Sequence, residues 1–145
     1  MIWFDMLAIH PHPKPLESFT GYLLRLAHNN ALRSKSALSA IAFPSLRRKT
    51  TWTDLPRQSY GALPVATGCT TMQLHATTFY HLLRKFQRSL YPATAKIFLA
   101  DILSLNLRYC PLCLTEFGFY KLSWRFTHLL GCEKHGVYLL NRCGH

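Results

Sequence analysis

The stretch that decides the fold is Cys110-Pro-Leu-Cys113, which is followed after eighteen residues by Cys132-Glu-Lys-His135. A gap of two residues inside each pair lets a tight turn point both side chains inward. A tetrahedral ion bound at about 2.3 Å from sulfur and about 2.0 Å from nitrogen needs two such turns. Three thiolates and one imidazole suit zinc, and four protein ligands leave no open position for a reacting water. The spacing therefore predicts one structural zinc ion, the alternative being reduced core cysteines that hold no metal.

Other cysteines and histidines fit a metal site less well. His128 lies four residues before Cys132, but the Cys-x-x-His pair has the better spacing, so His128 is expected to be structural. Cys143 would begin a second, incomplete finger whose other ligands lie beyond the chain end. Cys69 is expected to be a small buried residue beside a turn. The five cysteines are an odd number with the spacing of metal ligands, which indicates a reducing cytoplasm.

The residues between the two ligand pairs are rich in large apolar side chains. They supply enough apolar surface to pack a helix or a hairpin against the domain. We expect the following residues to be in the core: Phe117, Phe119, Tyr120, Leu122, Trp124, Phe126, Leu129 and Leu130.

Upstream, the apolar spacing predicts helices. The first begins after Ser18, carries an apolar stripe at helical spacing from Phe19 to Ala27 and ends near Asn29-Asn30. A second helix, with Leu38, Ile41 and Ala42 on one face, is closed by Pro44. Residues 44–60 have few regularly spaced apolar residues and are expected to be a connector, and Met1–Ile9 to be a packed strand or arm.

A helix-turn-helix is predicted near residues 63–79. Gly68 can end one helix, and Thr70 with Gln73 forms a capping box for the next. Gly61 and Pro64 weaken the first of these helices. A third helix should follow, with Phe79, Leu82, Leu83, Phe86 and Leu90 on its apolar face and His81, Arg84, Lys85 and Arg88 on its basic face.

The charge of the chain favours a polyanionic partner. Seventeen Lys and Arg against six Asp and Glu leave a formal charge of +11, spread along the sequence. We expect DNA contacts at two groups of side chains. The candidate base-reading residues, on the helix opened by Thr70, are Thr71, Gln73, His75 and Thr78. The candidate phosphate contacts are Arg47, Arg48, Lys49, Arg84, Lys85 and Arg88, each of which could instead be simply solvated.

The sequence argues against an enzyme and against a membrane protein. The acids are scattered singly, and we find neither a glycine-rich phosphate loop nor a serine in a nucleophile elbow. Charged residues such as Arg25, Lys96 and Asp101 interrupt the apolar stretches, so a membrane span is not expected.

Three passages together resemble the TniQ/TnsD family of transposition target-selection proteins. They are Pro15-Leu-Glu-Ser18 with Leu24-Arg-Leu-Ala27 and Asn30, then Ala66-Thr-Gly68, and finally the metal segment. The metal segment is similar to the zinc-finger motif of that family in Arg108-Tyr-Cys-Pro-Leu-Cys-Leu114, Tyr120, Trp124, Cys132-Glu-Lys-His135-Gly and Leu139-Leu-Asn-Arg-Cys143. Members usually continue past Cys143 with further ligands, and the sequence leaves open whether this chain is a truncated or minimal member.

The resemblance implies a non-catalytic adaptor of DNA transposition on a mobile genetic element in a bacterial cytoplasm. Such an adaptor links target recognition, through DNA or an RNA-guided effector complex, to the AAA+ ATPase of the transposon. The expected fold is mainly α, with a helix-turn-helix-containing helical domain at 1–107 and a small α+β zinc-finger region at 108–145. A homodimer remains open. The rivals are a stand-alone zinc-containing helix-turn-helix regulator, a zinc hydrolase and a pure protein-interaction module.

Overall fold

The computed structural model describes residues 6–34, 36, 38 and 54–141, and this part of the chain is mainly helical. The helices, in chain order, are α1 (Phe19–Asn29), α2 (Leu63–Thr67), α3 (Thr71–His75), α4 (Tyr80–Lys85), α5 (Pro92–Leu99) and α6 (Pro111–Phe117), with a 3-10 helix at Leu122–Arg125. Among the described residues, the β pairing consists of isolated antiparallel bridges between single residues. The predicted mainly helical class is confirmed.

Several predictions fall outside the described ranges. They concern the arm at residues 1–5, most of the second predicted helix, and the side chains of Arg47, Arg48, Lys49 and Cys143. None of the helices in the described part is long and apolar enough to cross a lipid bilayer.

Helix α1 forms the centre of the first hydrophobic core. Ser18 caps its N-terminus by accepting a hydrogen bond from the amide of Gly21, and Asn30 ends it, as predicted. Phe19, Tyr22 and Leu26 are fully buried, and each such side chain contributes about 1.5–3 kcal/mol of hydrophobic free energy. Their partners in this core include Leu38, Tyr60, Leu63, Cys69 and Leu74.

A buried ion pair fastens residues 9–17 to α1. The guanidinium of Arg25 donates from Nε and Nη2 to the two carboxylate oxygens of Glu17, at 2.8 and 2.7 Å. Glu17 is fully buried, so this paired geometry compensates for the loss of its hydration. Further along, the side chain of Asn30 bonds both the amide and the carbonyl of Ile9. Glu17, Arg25 and Asn30, which lie in the passages that resemble the TniQ/TnsD family, therefore hold residues 9–17 in place.

The turn between α2 and α3 follows its local sequence. Gly68 ends α2 with φ +66°, a left-handed conformation that glycine adopts without strain. Thr70 and Gln73 form the predicted capping box. Cys69 is buried, as expected, with its Sγ 3.3 Å from the hydroxyl of Tyr22.

Helix α4 is shorter than the sequence predicts. It ends at Lys85, and Gln87 takes a left-handed conformation with φ +51°. The amide of Arg88 bonds the carbonyl of Leu83, which closes the helix as a Schellman motif does. Phe86 is consequently 55% exposed instead of belonging to the core. Leu83 joins a second core with Leu55, Phe79, Ala95, Leu99 and Leu103.

Residues 120–127, which lie between the two ligand pairs, are bonded to two distant parts of the chain. The carbonyl of Tyr120 accepts from the amide of Ser18, and the amide of Leu122 donates to the carbonyl of Leu16, both at 2.8 Å. On the other side, residues 125 and 127 exchange backbone hydrogen bonds with residues 104 and 102. This segment therefore joins the metal region to both hydrophobic cores.

Candidate metal centre

The first ligand pair is formed by the start of α6. Cys110 is its N-cap residue, and Pro111 follows at the first helical position, where its missing N–H costs nothing. The Sγ of Cys110 accepts a hydrogen bond from the amide of Cys113 at 3.4 Å. One helical turn thus brings both thiols to the same point, and both residues are fully buried.

The second ligand pair lies on a tight turn. The amide of Gly136 donates to the carbonyl of Cys132, and the amide of Cys132 donates to the carbonyl of Val137, both at 2.8 Å. Gly136 has φ +64°, which suits glycine at the position where the chain reverses. An antiparallel bridge between Gly131 and Tyr138 continues the reversal.

The four candidate ligand atoms lie close together. All lie within 4.8 Å of one another. The Nδ1 of His135 lies 3.5, 3.3 and 3.6 Å from the Sγ atoms of Cys110, Cys113 and Cys132, and the sulfurs of Cys113 and Cys132 are 3.5 Å apart. A tetrahedral zinc ion would place sulfur and nitrogen ligands about 3.5 Å apart and two sulfurs about 3.8 Å apart. The cluster predicted from the sequence can therefore hold a metal ion.

The pKa values of two neighbouring thiols in the cluster shift in opposite directions. Burial, together with the neighbouring thiols of Cys132 and Cys110, raises the pKa of Cys113 to about 12. At Cys132, burial opposes ionisation, but hydrogen bonds from the backbone of His135 and Lys134 lower the pKa to about 6. Three thiolates this close together would repel one another. A bound dication would deprotonate the thiols and neutralise the resulting negative charges.

An apolar shell surrounds the cluster. Trp124 is buried against the ligand cysteines, with Tyr109, Tyr120 and Leu129 packed around it. Arg108 donates to the carbonyls of Phe126 and Leu129 and so fixes the chain that leads to the second ligand pair. Leu130, which was expected in the core, is 64% exposed because its backbone pairs with residue 139 while its side chain faces solvent.

The structure also locates the residues that were considered as weaker candidates. His128 is exposed and its ring contacts Thr127 instead of the thiols. Cys69 lies in the first core, apart from the metal cluster. Among the described residues, the group of side chains that could hold a metal ion is Cys110, Cys113, Cys132 and His135.

The proposed base-reading residues do not form one exposed face. Thr71 and Gln73 are exposed, but the side chain of Gln73 is used in the capping box and contacts His12. His75 is half-buried, stacks on Tyr80 at 4.2 Å between ring centroids, and bonds the hydroxyl of Tyr60 at 2.8 Å. Burial, and then the neighbouring His81, lower the pKa of His75, which favours the neutral ring.

Thr78 was expected on the same exposed face, and this prediction is wrong. Helix α3 ends at His75, and Thr78 is 2% exposed with its hydroxyl donating to the carbonyl of His75. The remaining candidates, Arg84, Lys85 and Arg88, lie exposed on and just after α4. The guanidinium of Arg88 lies 4.7 Å from the ring centroid of Phe98.

Sequence reasoning missed two polar groups. Asp54, in the expected connector, is buried and pairs with Arg125, and Glu116 contacts His135 from α6. Both are single acids without a recognisable spacing, so the sequence offers no signal for either contact.

The chain was compared with known proteins. No curated protein matches it. The sequence profile of the family described as TniQ matches residues 8–139, which span nearly the whole chain, including α1 and all four residues of the metal cluster. The chain therefore belongs to the TniQ family, which is associated with target selection in transposition.

Proposed function

We propose that this protein is a non-catalytic target-selection adaptor in bacterial DNA transposition. It links target recognition, through DNA or an RNA-guided effector complex, to the AAA+ ATPase of the transposon. The observation that carries the proposal is the family match over residues 8–139, because it covers both cores and the metal cluster together.

The roles of the acidic side chains support a non-catalytic protein. Glu17 pairs with Arg25, Asp54 with Arg125, and Glu116 with Lys134 and His135. These carboxylates are engaged in holding the fold. The tetrahedral cluster, filled by four protein ligands, would leave a zinc ion no position for a reacting water.

The metal in this proposal is one structural zinc ion held by Cys110, Cys113, Cys132 and His135. Bound there, zinc supplies folding free energy and no chemical step. It would join α6 to the turn at residues 132–136, and through residues 120–127 to the helical cores. The division into a helical region at 1–107 and a zinc-finger region at 108–145 stays a prediction, as does a second site at Cys143.

The short length of α2 and α3 and the internal contacts of the α3 side chains favour the adaptor over a stand-alone helix-turn-helix regulator. Helices α2 and α3 have five residues each, and the side chains of Gln73 and His75 are already bonded within the protein. Direct readout needs several free polar side chains at one groove. DNA contact in the proposed function is therefore made with phosphates, by Arg84, Lys85, Arg88 and the run Arg47-Arg48-Lys49.

The test has two parts. First, the tagged chain is expressed with the neighbouring genes of its element, and the recovered proteins and DNA are identified. We expect the AAA+ ATPase in a stoichiometric complex. Second, the salt dependence of DNA binding is compared between the native chain and a variant carrying Arg84→Gln, Lys85→Gln and Arg88→Gln. The slope of log K against log salt should fall by about 0.9 for each lost phosphate contact.

The outcomes separate the candidates. Tight, sequence-specific DNA binding without any ATPase in the complex would favour the stand-alone regulator. An ATPase complex whose DNA affinity does not change in the triple variant would leave the adaptor role standing and refute the proposed contacts on α4. Lys96→Gln, on the exposed surface of the neighbouring helix α5, is the control for the loss of a single positive charge outside this group.

A further inference from the structure

His135 uses both ring nitrogens, and each faces a different partner. Its Nδ1 points to the three cysteine sulfurs, at 3.3–3.6 Å. Its Nε2 lies 3.2 Å from Oε2 of Glu116, a residue on α6 that is 19 positions away in sequence. The ring is thus held between the thiol cluster and a carboxylate.

The carboxylate of Glu116 is itself fixed. Its other oxygen, Oε1, accepts a hydrogen bond from the ammonium group of Lys134. That ammonium group also lies 4.4 Å from the ring centroid of Phe117. Glu116 therefore reaches from the helix that carries Cys110 and Cys113 to two consecutive residues of the second ligand turn.

The chemistry of imidazole gives this contact a direction. A neutral imidazole carries one N–H, and the nitrogen that binds a metal must be the other one. Because a carboxylate at hydrogen-bond distance can only accept, it favours the tautomer with hydrogen on Nε2 and a free lone pair on Nδ1. The orientation of the ring and the choice of ligating atom are then both set before a metal binds.

We propose that Glu116 is a positioning residue of the metal centre, which selects Nδ1 of His135 as the ligand atom. This inference rests on the zinc site of the proposed function. It assigns to Glu116 a role in metal affinity that Glu133 does not share. Glu133 is also acidic and exposed and lies next to Cys132, so it is the control for the loss of a negative charge near the ligands in sequence.

The first test is the zinc affinity of the full 145-residue chain, measured by competition with a chromophoric chelator. We expect Glu116→Ala to weaken zinc binding by about 10–100-fold. Glu116→Gln should recover much of this loss, because its amide oxygen still accepts from Nε2, and Glu133→Ala should bind as the native chain does. Equal affinities for Glu116→Ala and the native chain would overturn the proposal, and so would an equal loss in Glu133→Ala.

The second test observes the ligand atom directly. Long-range proton–nitrogen correlation spectra of the zinc-loaded chain with labelled histidine report which ring nitrogen carries hydrogen. His135→Cys, which keeps four zinc-binding side chains, identifies the signal by its absence. We expect hydrogen on Nε2 and zinc on Nδ1 in the native chain, and zinc on Nε2 would overturn the proposal. A native chain that takes up no stoichiometric zinc would instead refute the zinc site itself, which separates that failure from one confined to Glu116.

Discussion

At the scale of single residues, the pair of Asp54 and Arg125 is buried and links two distant parts of the chain. Asp54 accepts from the amide and hydroxyl of Thr20 at 2.7 and 2.9 Å, and from Nη1 of Arg125 at 2.8 Å. Both members of the pair are at most 3% exposed. Arg125 has two further nitrogens, Nε and Nη2, that have no hydrogen-bond partner among the described residues. The charge of Arg125 is therefore compensated by Asp54 almost alone.

Removing only one member of this pair should be costly. We expect Asp54→Ala to lower the free energy of unfolding by about 3–5 kcal/mol, because it leaves a buried charge unpaired. Adding Arg125→Met should recover part of the loss, because an apolar side chain needs no partner. Urea denaturation measures both, with the exposed Asp101→Ala as control. A double variant less stable than Asp54→Ala alone would show that the pair is not the source of the effect.

At the scale of elements, local signals in the sequence predicted well what local contacts decide. Ser18 as the cap of α1 and the Thr70–Gln73 capping box are both present as predicted, because a cap is settled within four residues. The end of α4 was missed because Gln87, and not a glycine, takes the left-handed position. The burial of Thr78 was missed because α3 ends at His75, and the stacking of His75 was missed because its aromatic neighbours, Tyr60 and Tyr80, lie outside α3.

The packing of α1 against residue 120 gives a prediction at this scale. A Cβ added at Gly21 would lie 2.8 Å from the Cβ of Tyr120. An alanine in a helix is normally favoured over glycine by about 0.5–1 kcal/mol. Here we expect Gly21→Ala to destabilise the protein by about 1–3 kcal/mol instead, because the added methyl group forces α1 away from residues 120–127.

Thermal or urea unfolding monitored by circular dichroism measures the sign of this change. His28→Ala, at an exposed position of the same helix, is the control and should change stability by less than about 0.5 kcal/mol. A gain of stability in Gly21→Ala would mean that the close approach of α1 to Tyr120 does not exist.

At the scale of the whole molecule, the metal cluster and the helical cores are expected to unfold together. Structural zinc contributes on the order of 10 kcal/mol, which is comparable with the total stability of a domain of this size. Chelation should therefore remove hydrogen-exchange protection at the amides of Ser18 and Leu122, which bond across to residues 120 and 16. Cys132→Ser should have the same effect without a chelator. Unchanged protection of both amides in the metal-free chain would contradict this coupling.

The same scale limits what the sequence could reveal. The four metal ligands were predicted because a tetrahedral site requires a fixed spacing within each pair, and their side chains do come together. The connection of the metal site to α1 has no comparable residue spacing in the sequence from which it could be predicted. It depends on hydrogen bonds between the backbones of residues 16–18 and 120–122, in which no side chain takes part.

Those hydrogen bonds also affect the order in which the protein can fold during its synthesis. The side chain of Lys14 adds a further long-range hydrogen bond, from Nζ to the carbonyl of Phe117, 103 positions later in the chain. At about 5–20 residues per second, a ribosome takes roughly 5–20 s to make that stretch. During this time Gly21 has no Tyr120 to pack against, and the carboxylate of Asp54 has no Arg125 to pair with. The core around α1 can therefore form early, whereas its attachment to the metal region must wait until the last third of the chain has emerged.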